Sequence, residues 1–136
     1  MRGWSATAFL ALLLLPACTA LPQACAPPAQ AMIAAELMFG RKIGDRIGVS
    51  DAAFAAFVAR EITPRFPDGL TVIDAKGQWR DSSRGVIVRE PSKLVLITFA
   101  DDARRRADIA AIVDAYKQTF SQQSVMTSLR PSCVTF

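Results

Sequence analysis

The sequence contains no histidine. That excludes Ser-His-Asp and Cys-His nucleophilic machinery and removes a common ligand of catalytic zinc. Cysteine is scarce: Cys18, Cys25 and Cys133 are the three present, and none are spaced as Cys-x-x-Cys, so no dithiol redox motif exists. The seven glycines nowhere take the spacing of a phosphate-binding loop. No metal ligand set and no cofactor motif is expected. Charge is also modest, with 16 basic against 12 acidic residues and a net charge of +4. No basic stripe is interleaved with aromatics, so nucleic acid is not an expected partner. The one basic run, Arg104-Arg105-Arg106, is flanked by Asp101, Asp102 and Asp108 and reads as a solvated helix face.

Long apolar runs are lacking too, apart from one. Phe9 to Leu15 is nearly unbroken, follows a short basic start at Arg2, and is too short to span a bilayer, which needs about 20 residues. Residues 1–17 therefore read as an export signal. The run ends in Leu15-Pro16-Ala17-Cys18, which resembles the lipobox of bacterial lipoproteins, with Pro16 as an unusual occupant. The resemblance implies that Cys18 is acylated and becomes the mature N-terminus. Thr19, which is not aspartate, implies outer-membrane sorting and a domain facing the periplasm. Ordinary cleavage after Ala20 or Ala24, releasing a soluble periplasmic or secreted protein, is the alternative. Residues 18–30 carry Pro22, Pro27 and Pro28, several alanines and no charge, and read as a stiff tether.

If Cys18 carries lipid, Cys25 and Cys133 remain, and an oxidising compartment favours their disulfide over two free thiols.

Residues 31–136 then hold one domain. Ala31 to Phe39 alternates with apolar residues on both faces and is expected as a central strand. Gly40, Gly44 and Gly48 mark a mobile loop. Ser50 caps a helix that places Phe54, Phe57, Val58 and Ile62 on one stripe and ends at Thr63-Pro64. Leu70 to Arg80 and Val86 to Phe99 form a long hairpin, with Pro91 marking a bulge or an edge. Asp101 or Asp102 caps a second helix, with Ile109, Ile112, Val113, Tyr116 and Phe120 inward, and Val125 to Leu129 is the last strand.

The order β-α-β-β-α-β is that of a ferredoxin-like plait, an α+β fold with a four-stranded antiparallel sheet and two helices on one face. The first and third strands are expected as central and parallel neighbours, with the fourth antiparallel beside the first. That last pairing brings Cys25 close to Cys133. The other sheet face is left apolar and open, which suits a homodimer or a pocket.

Six residues stand out as ligand-binding candidates. Glu36 is a lone carboxylate on the open face of a central strand, expected to pair with Arg130, Arg80 or Arg89. Trp79, Arg80, Arg89 and Glu90 approach across the hairpin, either as a cross-strand charge pair under an indole or as a grip for an anionic or sugar-like ligand.

Taken together, Glu36-Leu37 with Phe39-Gly40-Arg41, Thr63 through Val72, Gly77-Gln78-Trp79-Arg80, Arg89-Glu90-Pro91-Ser92-Lys93 and Tyr116-Lys117 resemble one bacterial family. Its members are small exported proteins, often lipoproteins, known only as a domain of unknown function, so the resemblance implies no activity, substrate or catalytic residue. Two classes stay open: a non-enzymatic envelope lipoprotein binding a small molecule or a protein, and a cofactor-free enzyme of the dimeric plait type using Glu36 with Arg80 or Arg89. A dry, closed face favours the first and a polar pocket around Glu36 the second.

Overall fold

A computed structural model describes residues 24–136. The signal segment, Cys18 and the first part of the tether lie outside the described residues.

Strand β1 (Gln30–Gly40) alternates strictly: Ile33, Ala35, Leu37 and Phe39 are buried, and the residues between them are half-buried. A two-stranded ribbon follows, β2 (Lys42–Ile43) and β3 (Arg46–Ile47). The stretch expected as a mobile loop is thus an ordered ribbon, turned at Gly44 with φ +61°. Helix α1 (Asp51–Phe57) starts under Ser50, whose Oγ accepts the Ala53 N–H. It continues as a π-helical turn over Val58–Ile62, closed by the Thr63 N–H on the Val58 carbonyl. Phe57 and Ile62 are five apart yet both fully buried, which the wider turn allows.

Strands β4 (Thr71–Asp81) and β5 (Val86–Phe99) form the hairpin, and α2 (Ala103–Phe120) returns over the sheet under its Asp102 cap. Ile109, Ile112 and Tyr116 of α2 are buried. Strand β6 (Met126–Val134) runs further than Val125–Leu129 and takes in Pro131 and Cys133, which the sheet tolerates because β6 is an edge strand.

The sheet order is β4-β5-β1-β6, all antiparallel, which is the ferredoxin-like plait. One expectation needs correcting. The first and third long strands, β1 and β5, are central neighbours but antiparallel. The α1 crossover returns the chain parallel to β1 in β4, and the hairpin then reverses it. Pro91 does not interrupt β5: β1 ends at the Gly40↔Ser92 pair, so at Pro91 the strand's second edge is already free and no ladder donor is missed.

The core lies between the sheet and the helices. Phe39, Phe54, Phe57 and Tyr116 pack edge-to-face, with Phe39 and Tyr116 centroids 4.7 Å apart. At the other end, Cys133 pairs with Ala31 in register and is disulfide-bonded to Cys25, Cα to Cα 5.5 Å.

Candidate functional site

The densest polar construction sits where β1 ends and the hairpin continues past it. Glu90 is its centre. One carboxylate oxygen accepts the backbone N–H groups of Arg41 (3.0 Å) and Lys42 (2.9 Å); the other accepts the Trp79 indole N–H at 2.8 Å. Trp79 is two residues from Gly77, the residue opposite Glu90, so both side chains stand on the open face.

Two glycines make room for this arrangement. A Cβ on Gly40 would lie 2.8–2.9 Å from the Glu90 carboxylate, and one on Gly77 would lie 2.6 Å from Ser92 Oγ. The Gly40 carbonyl also accepts the hydroxyl of fully buried Tyr116 at 2.7 Å. Burial raises the phenol's pKa above the usual tyrosine range, so it is a fixed donor at neutral pH.

Behind Glu90, two nearly buried cations fasten the strand ends to α1. Arg41 donates to the Val49 carbonyl at 2.8 Å and pairs with Asp51 at 3.1 Å. Lys93 pairs with the same Asp51 at 2.6 Å and with Asp74. The Lys93 bond, foremost, holds the Asp51 carboxyl below the usual range, and the two carboxylates raise Lys93.

At the hairpin tip, Asp81 accepts from the Ser83 hydroxyl at 2.6 Å and the Arg84 guanidinium at 2.7 Å, and these bonds hold its carboxyl at about 2. Arg84 also reaches Asp45 in the β2–β3 turn at 3.2 Å. The α2–β6 connection is tied in through Gln122, whose amide donates to the Lys42 carbonyl at 2.8 Å.

These ties enclose a cavity of about 480 Å³ on the open sheet face. Met38, Met126, Val88 and Trp79 supply its apolar surface; Lys42 and Gln122 are among its polar lining. Met38 and Met126 are register partners across β1 and β6, so both side chains stand on the open face.

The residues singled out by sequence fall into three groups. Trp79 and Glu90 are together and wall the cavity. Glu36 and Arg130 are also together, bonded to each other on the open face, because Glu36 pairs in register with Ser128 and Arg130 is two residues on. That pair is partly exposed, with 33% and 61% of the side chains accessible, and neither residue lines the cavity. Arg80 and Arg89 approach neither group. Glu36 faces Leu96, so Arg89 lies seven residues further along β5, ~23 Å at ~3.3 Å per residue, on the opposite row of side chains. The expected Glu36–Arg80 or Glu36–Arg89 constellation is therefore not formed.

Lys42, Asp81, Arg84 and Gln122 were not anticipated. The strand-end aspartate before Ser-Ser-Arg-Gly is a turn signal that points to Asp81 and Arg84. Nothing local marks Lys42 or Gln122, which the fold brings together from 80 residues apart. Among the described residues, no group of three or more His, Cys, Asp or Glu is placed to hold a metal ion.

Fold and site together define a ferredoxin-like α+β domain with a walled cavity on its uncovered sheet face. Residues 34–136 match the model of the family described as "Protein of unknown function (DUF3574)", and the chain belongs to that family. No curated protein matches the sequence. Among solved structures, a phage SAM lyase in complex with S-methyl-5'-thioadenosine is similar at 14% identity, covering 86% of this chain and 97% of that one, with a TM-score of 0.62. CutA from Synechococcus elongatus PCC7942 is similar at 6% identity, covering 76% of this chain and 78% of that one, with a TM-score of 0.50. At these identities the likeness establishes the fold.

Proposed function

We propose that the chain is a non-enzymatic binding domain of the bacterial envelope, held to the outer membrane through a lipid on Cys18, that takes a small molecule into the open-face cavity. One observation carries the binding reading: the cavity's volume of about 480 Å³, walled by apolar side chains with a few fixed polar groups, suits a small ligand. The side chains around it are held before any ligand arrives, since Trp79 is fixed by Glu90 and Glu90 by two backbone donors. The lipobox-like Leu15-Pro16-Ala17-Cys18 and the disulfide between the other two cysteines support the envelope reading. Among the described residues no helix is long and apolar enough to cross a membrane.

A second copy covering the face is the other reading. Ile73, 41% exposed, and the half-buried Leu94 and Leu96 favour it, as apolar residues of the open face away from the cavity.

Native mass spectrometry of protein purified from its host's membranes tests both parts. The expected spectrum shows a diacylglyceryl adduct on Cys18 and a bound mass that denaturation releases and a Met126→Trp variant lacks. An unmodified chain starting at Leu21 or Cys25 rules out the anchor. A mass-balanced apo protein that also fails to bind a metabolite panel rules out the cavity reading. S-methyl-5'-thioadenosine, named with one fold neighbour, is the first compound for that panel.

A further inference from the structure

Most polar residues along the hairpin are committed to the fold: Glu90 to Trp79 and two backbone donors, Lys93 to Asp51 and Asp74, Asp81 to Ser83 and Arg84. Gln78, Arg80 and Arg89 are not. Among the described residues, none of their side chains has a hydrogen bond or ion pair, and the same holds for Lys76.

The register places these four side chains together. Gln78 is directly opposite Arg89, with Lys76 and Arg80 two residues to either side of Gln78. All four therefore share one row of the hairpin, opposite to that of Trp79. Diagonal neighbours of this kind are about 7–8 Å apart, within reach of long side chains. The helices do not cover them, since β1 stops at the Gly40↔Ser92 pair, and all four are exposed. Lys76, Gln78, Arg89 and Pro91 border a groove of about 470 Å³ there; Arg80 is not part of its lining but stands next to it, diagonal to Arg89. Glu90 borders it as well, but its carboxylate is bonded on the other side of the sheet. The nearest carboxylate on the same row, Asp74, is taken up by Lys93.

Three cations clustered on a two-stranded ribbon repel one another, and a sequence selected for folding alone would interleave a carboxylate. We infer that this groove is a second binding site, for a phosphate group, with Arg80 and Arg89 as the guanidinium clamp, Lys76 as a point charge and Gln78 as an amide donor. Phosphate fits better than carboxylate on charge: a dianion balances most of three cations, and planar guanidinium forks match its oxygens in pairs. Lys76 and Gln78 border the cavity as well, but the two arginines do not line it, so the clamp can be removed without touching the cavity.

The experiment uses the exported protein carrying Cys18→Ser, which cannot be acylated and so has no anchor to carry it to vesicles, at about 50 mM salt with two probes. One is inorganic pyrophosphate, followed by calorimetry; the other is phosphatidylcholine vesicles with and without phosphatidylglycerol, followed by co-sedimentation. Binding of pyrophosphate identifies a free phosphate as the source, and binding to anionic vesicles alone identifies a lipid headgroup. In either case the affinity should fall steeply with added salt and drop at least about tenfold in the Arg80→Gln/Arg89→Gln variant. Because these side chains hold nothing in the fold, the variant should keep its melting temperature and its Trp79 emission. Failure of both probes to bind, or equal binding by the double variant, overturns the proposal. Compounds bound in the cavity of the double variant but not its groove leave the cavity reading intact, so the two can fail separately.

Discussion

Gly40→Ala should destabilise the domain although alanine is the better strand residue. The perturbation is one methyl group, and it would be built 2.8–2.9 Å from the Glu90 carboxylate. A flexible side-chain end normally steps aside at little cost. Here it is held by three N–H donors, so making room means loosening its bonds to Arg41 N, Lys42 N and Trp79 Nε1. Hydrogen bonds to a charged group contribute about 1.5–3 kcal/mol each when fully kept, and water at this half-buried carboxylate replaces part of that. Gly-to-Ala alone would stabilise a strand by roughly 0.5–1 kcal/mol. The net expected loss is about 1–2 kcal/mol, or ~4–8 °C in melting temperature for a domain of this size. In a Glu90→Ala background the obstacle is gone, and the same methyl should be neutral or stabilising. Thermal melts followed by circular dichroism measure all four corners of the cycle. Trp79 emission should shift to the red whenever Glu90 is displaced. A Gly40→Ala protein as stable as its parent, with unchanged emission, would refute the assignment of Glu90 as the keystone of this end of the sheet.

Other consequences are simpler to state. Glu36→Gln should cost only about 0.2–1 kcal/mol, because its pair with Arg130 is partly exposed, and should leave any cavity ligand bound. Reducing the Cys25–Cys133 disulfide should lower stability by up to about 4.7 kcal/mol, since it closes a loop of 108 residues; non-reducing peptide mapping should recover the pair. Asp81 is depressed in the folded state, so its contribution is complete above its unfolded value of 3.8 and lost as pH falls through about 2. Its carboxyl carbon resonance should titrate near that lower value, and Arg84→Ala should move the midpoint upward.

How much of this was legible beforehand follows the range of the interactions. Periodicity located β1, both helices and the hairpin, because burial on one face is written every second or every third to fourth residue. Element order then led to the plait, and counting cysteines led separately to the disulfide, although the relative direction of β1 and β5 was misjudged. The ribbon at Gly44 escaped because two-residue strands carry no periodic signal, and glycine alone does not separate an ordered turn from a loop. At the site, Trp79 and Glu90 were visible since they lie near each other across one hairpin. Glu36 and Arg130 were found through strand pairing. Grouping Arg80 and Arg89 with Glu36 failed because row parity and the distance along β5 both separate them. Lys42 and Gln122 had no local mark, and the role of Gly40 as the seat of a carboxylate is evident only once β5 lies beside β1.

The most direct test of the central claim is a crystal structure of the protein purified from its native host without added ligand. The account predicts density for a small molecule between Met38, Met126 and the Trp79 indole, with Glu90 still bonded to Arg41 and Lys42. An empty cavity with a second copy packed flat across the open sheet face would contradict it.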